Sequence, residues 1–319
     1  MLPFKLTPAC KDYLWGGTRL KTEFGKETSL AVVAESWELS AHPAGPSIIA
    51  TGPLAGTDFA AFVSAHPAEC GTAYKEQQGF PVLIKFIDAQ KSLSIQVHPS
   101  DEYARRVEGE AGKTEMWIIL DCAPGAFLYF GFEQPIAKEE MRARIENNTL
   151  TEVLHKQYVK KGDVVFIPAG TIHAIGEGIV LAEIQQSSNS TYRVYDFGRL
   201  GPDGKPRELH VEKALDVTIL APANPGAPGA GPLPGQPGAA LRRLAACPYF
   251  TVDGLALAGE YTRTLTGESF ASVLCTGGSA TLASGGQTLP VQKGDSVFVP
   301  ATAGSFALQG EGDFVITGL

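Results

Sequence analysis

Apolar residues in this chain come in short runs separated by glycine, proline and polar residues. Short runs rich in β-branched side chains are typical of β-strands. Five runs of this kind lie in the first two thirds of the chain: Val82–Asp88, Leu93–His98, Met116–Leu120, Asp163–Pro168 and Gly178–Gln185. Three more lie near its end: Ala271–Leu274, Ser296–Pro300 and Phe314–Thr317. We therefore expect strands throughout and an all-β C-terminal part.

Helical patterns are few, and all of them precede residue 221. Helix-forming residues and helical spacing of apolar side chains predict four helices. They are Asp58–Gln78, a short helix in DEYARRVEG capped by Ser100 or Asp101, Lys138–Tyr158, and Glu208–Leu220. The fold class expected is mainly β, with a few helices added to the N-terminal half.

One segment divides the chain. Residues 221–240 are dense in proline and glycine and carry no charge, as is typical of a connector. This predicts an N-terminal domain over residues 1–220 and a C-terminal domain over 241–319. An internal repeat supports two related halves, because KGDVVFIPAGTIHA at 161–174 recurs as KGDSVFVPATAGSFA at 293–307. His173 of the first copy aligns with Ser305 of the second, so only the first copy is expected to carry chemistry.

Charge and composition exclude several classes of partner. The 319 residues include 26 Lys+Arg and 34 Asp+Glu, a net charge of −8, without a basic run. This argues against nucleic acid and anionic membranes as partners. The chain has no run of 18 apolar residues and no export signal at its start, so we expect a cytoplasmic protein. Its five cysteines are scattered without a CxxC pair, which indicates reduced thiols.

The strongest chemical motif is GDVVFIPAGTIH at 162–173. It fits the pattern G-x5-P-x-G-x2-H, the second motif of the cupin barrels, in which the histidine binds a metal. Gly170 permits the backbone to bend so that His173 points into the barrel. A lone histidine in an apolar run is more often structural, so the motif needs support from elsewhere in the chain.

That support comes from two other strand-like segments. Gln96 and His98 in SLSIQVHP are two residues apart and share one face of a strand. Glu115 begins the apolar strand that follows GKT. With His173 they offer two imidazoles, one carboxylate and one amide oxygen. This mixed set suits a catalytic divalent metal, and we expect one zinc ion per chain.

Seven ordered segments give the chain a closer resemblance. It resembles the type I mannose-6-phosphate isomerases, or phosphomannose isomerases, in their short bacterial form. The matching segments span about residues 13–217 and read YLWGGTRL, AESWELSAHPAGPS, FPVLIKFIDAQKSLSIQVHP, GKTEMW, KKGDVVFIPAGTIHAIG, EIQQSSNSTYRVYDFGR and ELHVEKALDV. The resemblance implies two cupin-type, jelly-roll or β-barrel halves, the second degenerate and without metal ligands. It also implies zinc bound by Gln96, His98, Glu115 and His173.

The same resemblance suggests the reaction and its residues. Such enzymes interconvert mannose 6-phosphate and fructose 6-phosphate by proton transfer between C1 and C2 through a cis-enediol. The positions implied as catalytic are Lys85, Lys113, Glu183 and Arg193, and those implied as substrate-binding are Trp15, Glu35 and Ser94. Asn189 stands where many relatives carry aspartate, and Ile175 replaces a tyrosine of longer relatives. The general base stays unassigned, and His42 is expected near the pocket.

Two other functions stay open on this reasoning. One is another metal-cupin enzyme, either an iron dioxygenase or an isomerase of a different sugar phosphate; Gln96 and the flanking lysines speak against the dioxygenase. The other is a non-catalytic sugar-binding cupin. The expected partner is a small-molecule hexose 6-phosphate, and the expected assembly is a monomer or a weak homodimer.

Overall fold

Strands are the main regular secondary structure of the chain, in a computed structural model that describes residues 1–201 and 204–319. Numbered in chain order, the strands are β1 (Phe4–Thr7), β2 (Ala9–Lys11), β3 (Glu35–Leu39), β4 (Ile48–Ile49), β5 (Val82–Ala89), β6 (Ile95–Val97), β7 (Glu115–Cys122), β8 (Phe127–Phe132), β9 (Leu154–Tyr158), β10 (Val164–Ile167), β11 (His173–Ile175), β12 (Ile179–Gln186), β13 (Tyr192–Tyr195), β14 (Gly231–Pro232), β15 (Ala239–Ala246), β16 (Thr251–Thr264), β17 (Ala271–Ser284), β18 (Gln287–Gln292), β19 (Ser296–Val299) and β20 (Ser305–Gly318). The α-helices are α1 (Arg19–Thr22), α2 (Phe59–Ala65), α3 (Asp101–Val107), α4 (Lys138–Glu146) and α5 (Val211–Val217). Short 3-10 turns cover Pro67–Cys70, Glu76–Gln78, Leu150–Glu152 and Ala301–Ala303.

Two antiparallel sheets form most of the N-terminal half. One has the strand order β10-β7-β12-β5-β3-β2, and the other has the order β13-β6-β11-β8-β9. They share a buried apolar core, to which Trp117 and Leu181 contribute from the first sheet and Leu128 and Phe130 from the second. The mainly β prediction is confirmed.

The outer face of the six-stranded sheet is buried as well. Along β5, Val82, Ile84 and Phe86 pack into a core that also contains Phe298 and Val315 of the C-terminal part. Since side chains alternate along a strand, the residues between them face the interior of the N-terminal half. This alternation explains why Lys85, in a strand that is buried throughout, lies on the inner face.

The C-terminal part is all-β apart from one 3-10 turn; β17 and β20 are longer than the apolar runs predicted there, whereas β19 ends one residue earlier than predicted. Its nine-stranded sheet also contains β1 and β4 from the start of the chain, with Phe4 paired to Phe298. The proline-rich segment is tied to the rest of the chain by β14 and by a hydrogen bond from the Phe166 N–H to the Pro225 carbonyl. The domain boundaries at residues 220 and 240 stay a prediction.

Two predicted helices are shorter than expected. In place of one helix over Asp58–Gln78, α2 ends at Ala65, and Pro67 then opens a 3-10 turn that stops at Gly71, whose φ is +95°. In place of one helix over Lys138–Tyr158, α4 ends at Glu146 and the chain continues into the strand β9. The prediction for its second half was wrong, because Asn148 adopts a left-handed φ of 56° that breaks the helix.

The other two helical predictions hold in part. Helix α3 begins after Ser100, whose side-chain oxygen accepts a hydrogen bond from the Tyr103 N–H. Helix α5 covers the centre of the predicted Glu208–Leu220 segment. Among the described residues, no helix is both long and apolar enough to cross a membrane.

The internal repeat corresponds to equivalent strands. Its first copy forms β10 followed by β11, which begins at His173, and its second copy forms β19 followed by β20, which begins at Ser305. His173 is fully buried, whereas Ser305 is exposed. The same backbone pattern therefore holds an inward imidazole in one half and a surface hydroxyl in the other.

Candidate active site

Strand register places three of the predicted residues side by side. Gln96, in the middle of β6, is the cross-strand partner of His173 on β11 and of Arg193 on β13. The Gln96 Nε2 atom lies 3.5 Å from the His173 Nε2 atom. Residues more than 70 positions apart are thus brought together by pairing in one sheet.

Gly170 of the GDVVFIPAGTIH motif, just before β11, connects that part of the chain with His98. Gly170 has a φ of +87°, and a Cβ atom there would lie 2.9 Å from the Val217 carbonyl oxygen. Its N–H donates a hydrogen bond of 2.8 Å to the carbonyl of His98. A larger residue would strain this turn and move the backbone that carries His98.

His98, Glu115 and His173 form a buried cluster of possible metal ligands. Their candidate ligand atoms all lie within 4.8 Å of one another. Glu115 places Oε1 3.3 Å from the His173 Nε2 atom and Oε2 3.5 Å from the His98 Nε2 atom. His98 directly follows β6, Glu115 begins β7 and His173 begins β11.

Backbone contacts define which imidazole nitrogens face the cluster. The Nδ1 atom of His98 lies 2.9 Å from the Ser190 carbonyl oxygen, and that of His173 lies 2.8 Å from the Thr171 carbonyl oxygen. A carbonyl can only accept, so each Nδ1 donates and each Nε2 keeps its lone pair toward Glu115. Burial lowers the pKa of His98 and lowers that of His173 to about 4. Both imidazoles are therefore neutral near pH 7.

This donor set fits a divalent metal ion. Neither carboxylate oxygen of Glu115 has a hydrogen-bond partner, although both are buried. The Lys113 ammonium, 2.7 Å from Oε2, compensates part of this buried charge, and a metal ion would compensate the rest. Two Nε2 lone pairs, this carboxylate and the neighbouring Gln96 amide are the hard and intermediate ligands that zinc and similar ions accept.

Lys113 borders the metal-ligand cluster. Its ammonium nitrogen lies 2.7 Å from the Glu115 Oε2 atom, an ion pair without the angles of a hydrogen bond, and 3.1 Å from the His98 Nε2 atom. Burial raises the pKa of Glu115 to about 7 despite this cation. Lys113 also lies 4.0 Å from the Glu183 Oε1 atom, which links the cluster to a second charged group.

That second group is centred on Glu183. In β12, Glu183 is the cross-strand partner of Lys85 on one side and of Trp117 on the other. Its Oε1 atom lies 3.2 Å from the Lys85 ammonium, and its Oε2 atom accepts a 2.9 Å hydrogen bond from the Trp117 indole. Burial alone would raise the pKa of Glu183, but Lys113 and Lys85 lower it to about 2.

Lys85 also contacts residues of β3, the strand next to β5 on the side away from β12. Its ammonium lies 3.5 Å from the Glu35 Oε2 atom and 5.0 Å from the centre of the Trp37 ring. Burial opposes the charge on Lys85, yet the carboxylates of Glu35 and Glu183 keep its pKa above the ordinary value. Lys85 is thus held by ion pairs to two carboxylates, and all three residues line the same cavity.

A cavity of about 280 Å³ collects these side chains. All seven residues implied as catalytic or substrate-binding line this cavity: Trp15, Glu35, Lys85, Ser94, Lys113, Glu183 and Arg193. Gln96 lines it too, whereas His98, Glu115 and His173 lie beneath it. A larger cleft of about 640 Å³, near Arg242 and Phe314, contains none of the predicted residues, so the smaller cavity is the candidate site.

Comparison with known proteins decides the family. The catalytic-domain model of type I phosphomannose isomerases matches residues 3–116, and the model of the mannose-6-phosphate isomerase cupin domain matches residues 241–318. The mannose-6-phosphate isomerase of Streptococcus mutans is 37% identical over 311 residues, which cover 97% of this chain and 96% of that protein. This chain belongs to the type I phosphomannose isomerase family.

Other members of the type I phosphomannose isomerase family agree over the full length. Mannose-6-phosphate isomerase ManA of Bacillus subtilis is 35% identical over 99% of both chains. The crystal structure of a mannose 6-phosphate isomerase from Bacillus subtilis superimposes with a TM-score of 0.93 at 34% identity, covering 100% of both chains. Type I phosphomannose isomerases are metalloenzymes, and His98, Glu115 and His173 form the possible metal site of this one.

Sequence reasoning missed Arg207 and Thr191, which also line the cavity. Arg207 lies outside the regular strands and helices, and it is held by hydrogen bonds of 2.5 and 2.6 Å to the carboxylate of Asp196. Its sequence context carries no periodicity or motif that would point to a pocket. Only the path of the loop between β13 and α5 brings it there.

Proposed function

We propose that this chain interconverts D-mannose 6-phosphate and D-fructose 6-phosphate with one zinc ion held by Gln96, His98, Glu115 and His173. The observation that carries the proposal is the cluster of His98, Glu115 and His173 next to a lysine-lined cavity. When bound there, zinc supplies a Lewis acid for an aldose or ketose carbonyl. A cytoplasmic location and a monomer or weak homodimer stay predictions.

The charged groups of the cavity suit an enediol reaction. A cis-enediol carries developing negative charge on oxygen, and cations held in a dry site stabilise that charge. Lys85 and Lys113 are buried and lie on either side of Glu183. Glu183 stays ionised between them, so we assign it the task of keeping both ammonium groups in place.

Arg193 lies where an anionic substrate needs a cation. Its Nε donates to the Ser94 hydroxyl at 3.3 Å, and its Nη1 donates to the Glu208 carbonyl at 3.0 Å. Within residues 1–201 and 204–319, no carboxylate lies within ion-pair distance of this guanidinium. Burial and the neighbouring Arg207 lower its pKa. A phosphate or an enediolate oxygen is a suitable bidentate partner for it.

The test is a coupled assay for fructose 6-phosphate formed from mannose 6-phosphate, before and after chelation, with elemental analysis of the same preparation. We expect turnover that a chelator abolishes and zinc restores. A metal-loaded protein without turnover on this substrate would contradict the proposed reaction and favour another sugar phosphate or a binding function. When the proposed zinc ligands are replaced by alanine, His155→Ala is the control, because His155 is an exposed histidine that pairs with Glu133.

A further inference from the structure

Two separate segments of the chain converge on the carboxylate of Glu110. Its Oε1 atom lies 2.8 Å from the His42 Nε2 atom and accepts a 3.0 Å hydrogen bond from the Asn189 N–H. Its Oε2 atom accepts a 2.7 Å hydrogen bond from the Ser190 hydroxyl. The carboxylate thus contacts residues that lie 68 to 80 positions from Glu110 in the sequence.

The hydrogen bonds of His42 show that it donates to Glu110. Its Nδ1 atom accepts the Ala44 N–H at 3.1 Å, so the proton of the neutral ring is on Nε2. The ring also meets Trp37 edge to face, with centroids 5.8 Å apart. His42 therefore ties Glu110 to the strand that borders the cavity.

Glu110 is not part of an ordinary ion pair. Among the described residues, no lysine or arginine lies within 4 Å of its carboxylate. The carboxylate instead accepts hydrogen bonds from one imidazole, one hydroxyl and one backbone N–H. Burial would raise the pKa of Glu110, but the hydrogen bonds from Ser190, His42 and Asn189 hold it below its usual value. The carboxylate is consequently a fixed acceptor for the segment that begins at Asn189.

That segment supports a predicted metal ligand. The Ser190 carbonyl is the group that accepts the hydrogen bond from His98 Nδ1 at 2.9 Å. The neighbours of Ser190 in the chain, Asn189 and Thr191, line the cavity. These residues lie between β12 and β13, outside any strand, so side-chain contacts rather than a ladder must hold them.

We propose that Glu110 is a positioning residue for His98. It holds the backbone at Asn189 and Ser190 so that the Ser190 carbonyl orients the His98 ring with Nε2 toward Glu115 and His173. This inference rests on the proposed function in one respect, the metal site, and it does not depend on which sugar phosphate reacts. Partners that orient a metal-bound histidine typically contribute about 10–100-fold to metal affinity or activity.

The experiment compares Glu110→Ala, Glu110→Gln and Ser190→Ala with the wild-type chain. Zinc affinity is measured by chelator competition, and the absorption spectrum of the cobalt-substituted protein reports the ligand geometry. Urea unfolding, kcat and KM are measured on the same samples. Glu133→Ala is the matched control, because Glu133 also pairs with a histidine, His155, at 3.1 Å, on the surface.

We expect Glu110→Ala to weaken zinc binding about 10–100-fold and to change the cobalt spectrum. We expect kcat to fall by a similar factor with a smaller change in KM. Glu110→Gln keeps one acceptor oxygen and should recover part of the affinity. Ser190→Ala keeps the carbonyl and should have a smaller effect than Glu110→Ala, and Glu133→Ala should match the wild type.

Unchanged zinc affinity and an unchanged cobalt spectrum in both Glu110 variants would overturn the inference. A lower unfolding free energy with wild-type zinc affinity would also overturn it, since Glu110 would then act on stability alone. If Glu110→Ala does not fold, Glu110→Gln and Ser190→Ala decide the question. A wild-type chain without isomerase activity would refute the proposed function, while zinc affinity would still test the positioning by Glu110.

Discussion

Lys113 places its ammonium nitrogen 2.7 Å from the Oε2 atom of Glu115, two residues further along the chain. Residues two apart in extended backbone share a face, so this pair needs no distant contact to bring it together. The same ammonium lies 4.0 Å from the Glu183 Oε1 atom. This cation therefore lies between carboxylates of two neighbouring strands, Glu115 of β7 and Glu183 of β12. A metal ligand and a candidate catalytic lysine are thus coupled through a local pattern.

The ligand assignment predicts that metal and activity are lost together. His98→Ala removes an Nε2 donor, so we expect zinc affinity to fall by more than the roughly 100-fold that loss of an outer partner costs. Gln96→Ala should weaken zinc binding as well. Elemental analysis after dialysis, with circular dichroism to verify folding, provides the measurement. Unchanged zinc content in both variants would contradict the assignment, and His155→Ala serves as the surface control.

Arg193→Ala should separate catalysis from metal binding. The guanidinium contacts Ser94 and Glu208 but none of the three clustered ligands, so zinc content should stay at the wild-type value. Loss of a preorganised cation at developing negative charge should lower kcat/KM by about 10²–10³-fold. Arg144→Ala, which removes a partly exposed arginine paired with Glu152, is the control for steady-state kinetics. Near-normal turnover in Arg193→Ala would remove this residue from the mechanism.

Lys26 forms a buried ion pair with Glu38 and also bonds to the C-terminal half of the chain. Lys26 Nζ lies 2.7 Å from the Glu38 Oε1 atom and donates a 2.5 Å hydrogen bond to the Gly294 carbonyl, with both side chains buried. Lys26→Met leaves Glu38 buried and unpaired, so we expect the unfolding free energy to fall by about 3–5 kcal/mol. Urea unfolding measures the change.

An exposed pair is the control for Lys26→Met. Lys138 and Asp216 lie 3.0 Å apart with about half of each side chain exposed, and Lys138→Met should cost less than about 1 kcal/mol. The double variant Lys26→Met, Glu38→Leu removes both charges and should recover much of the loss. Equal losses of unfolding free energy in Lys26→Met and Lys138→Met would show that the contacts of Lys26 with Glu38 and Gly294 contribute little.

Asp196 should make stability depend on pH. Burial alone would raise its pKa, but hydrogen bonds from Arg207 and Arg199 hold the pKa below the ordinary value in the folded chain. The free energy of unfolding that ionised Asp196 contributes is therefore fully present above the unfolded pKa of about 3.9, and it is lost as the pH falls through the folded pKa. Asp196→Asn should destabilise the chain by about 1.5–3 kcal/mol at pH 7.

The two Asp196 forms should converge in acid. Urea unfolding at pH 7 and at a series of pH values descending from about 3.9 measures the difference between Asp196→Asn and wild type at each value. A difference that does not shrink at the lower pH values would contradict the charge-based account. Asp12→Asn, at an exposed aspartate, should have nearly the same unfolding free energy as wild type throughout this pH range.

Local patterns were sufficient for much of the site. Alternation along one strand places Gln96 and His98 together, and the glycine-proline punctuation of the repeat places His173 at a strand start. These relationships depend on neighbours in sequence, which is why strand periodicity reveals them. Helix ends were less predictable, because α4 stops where Asn148 adopts a left-handed backbone that composition does not specify.

What the sequence by itself determined was the mainly β class, the family and the residue types that suit a metal and a sugar phosphate. Only the tertiary structure decided that β1 joins the C-terminal sheet, that Arg207 reaches the cavity, and that Glu110 supports His98 through Ser190. These contacts join residues tens to hundreds of positions apart. They depend on strand register and loop closure, which arise when whole sheets pack and which no local pattern encodes.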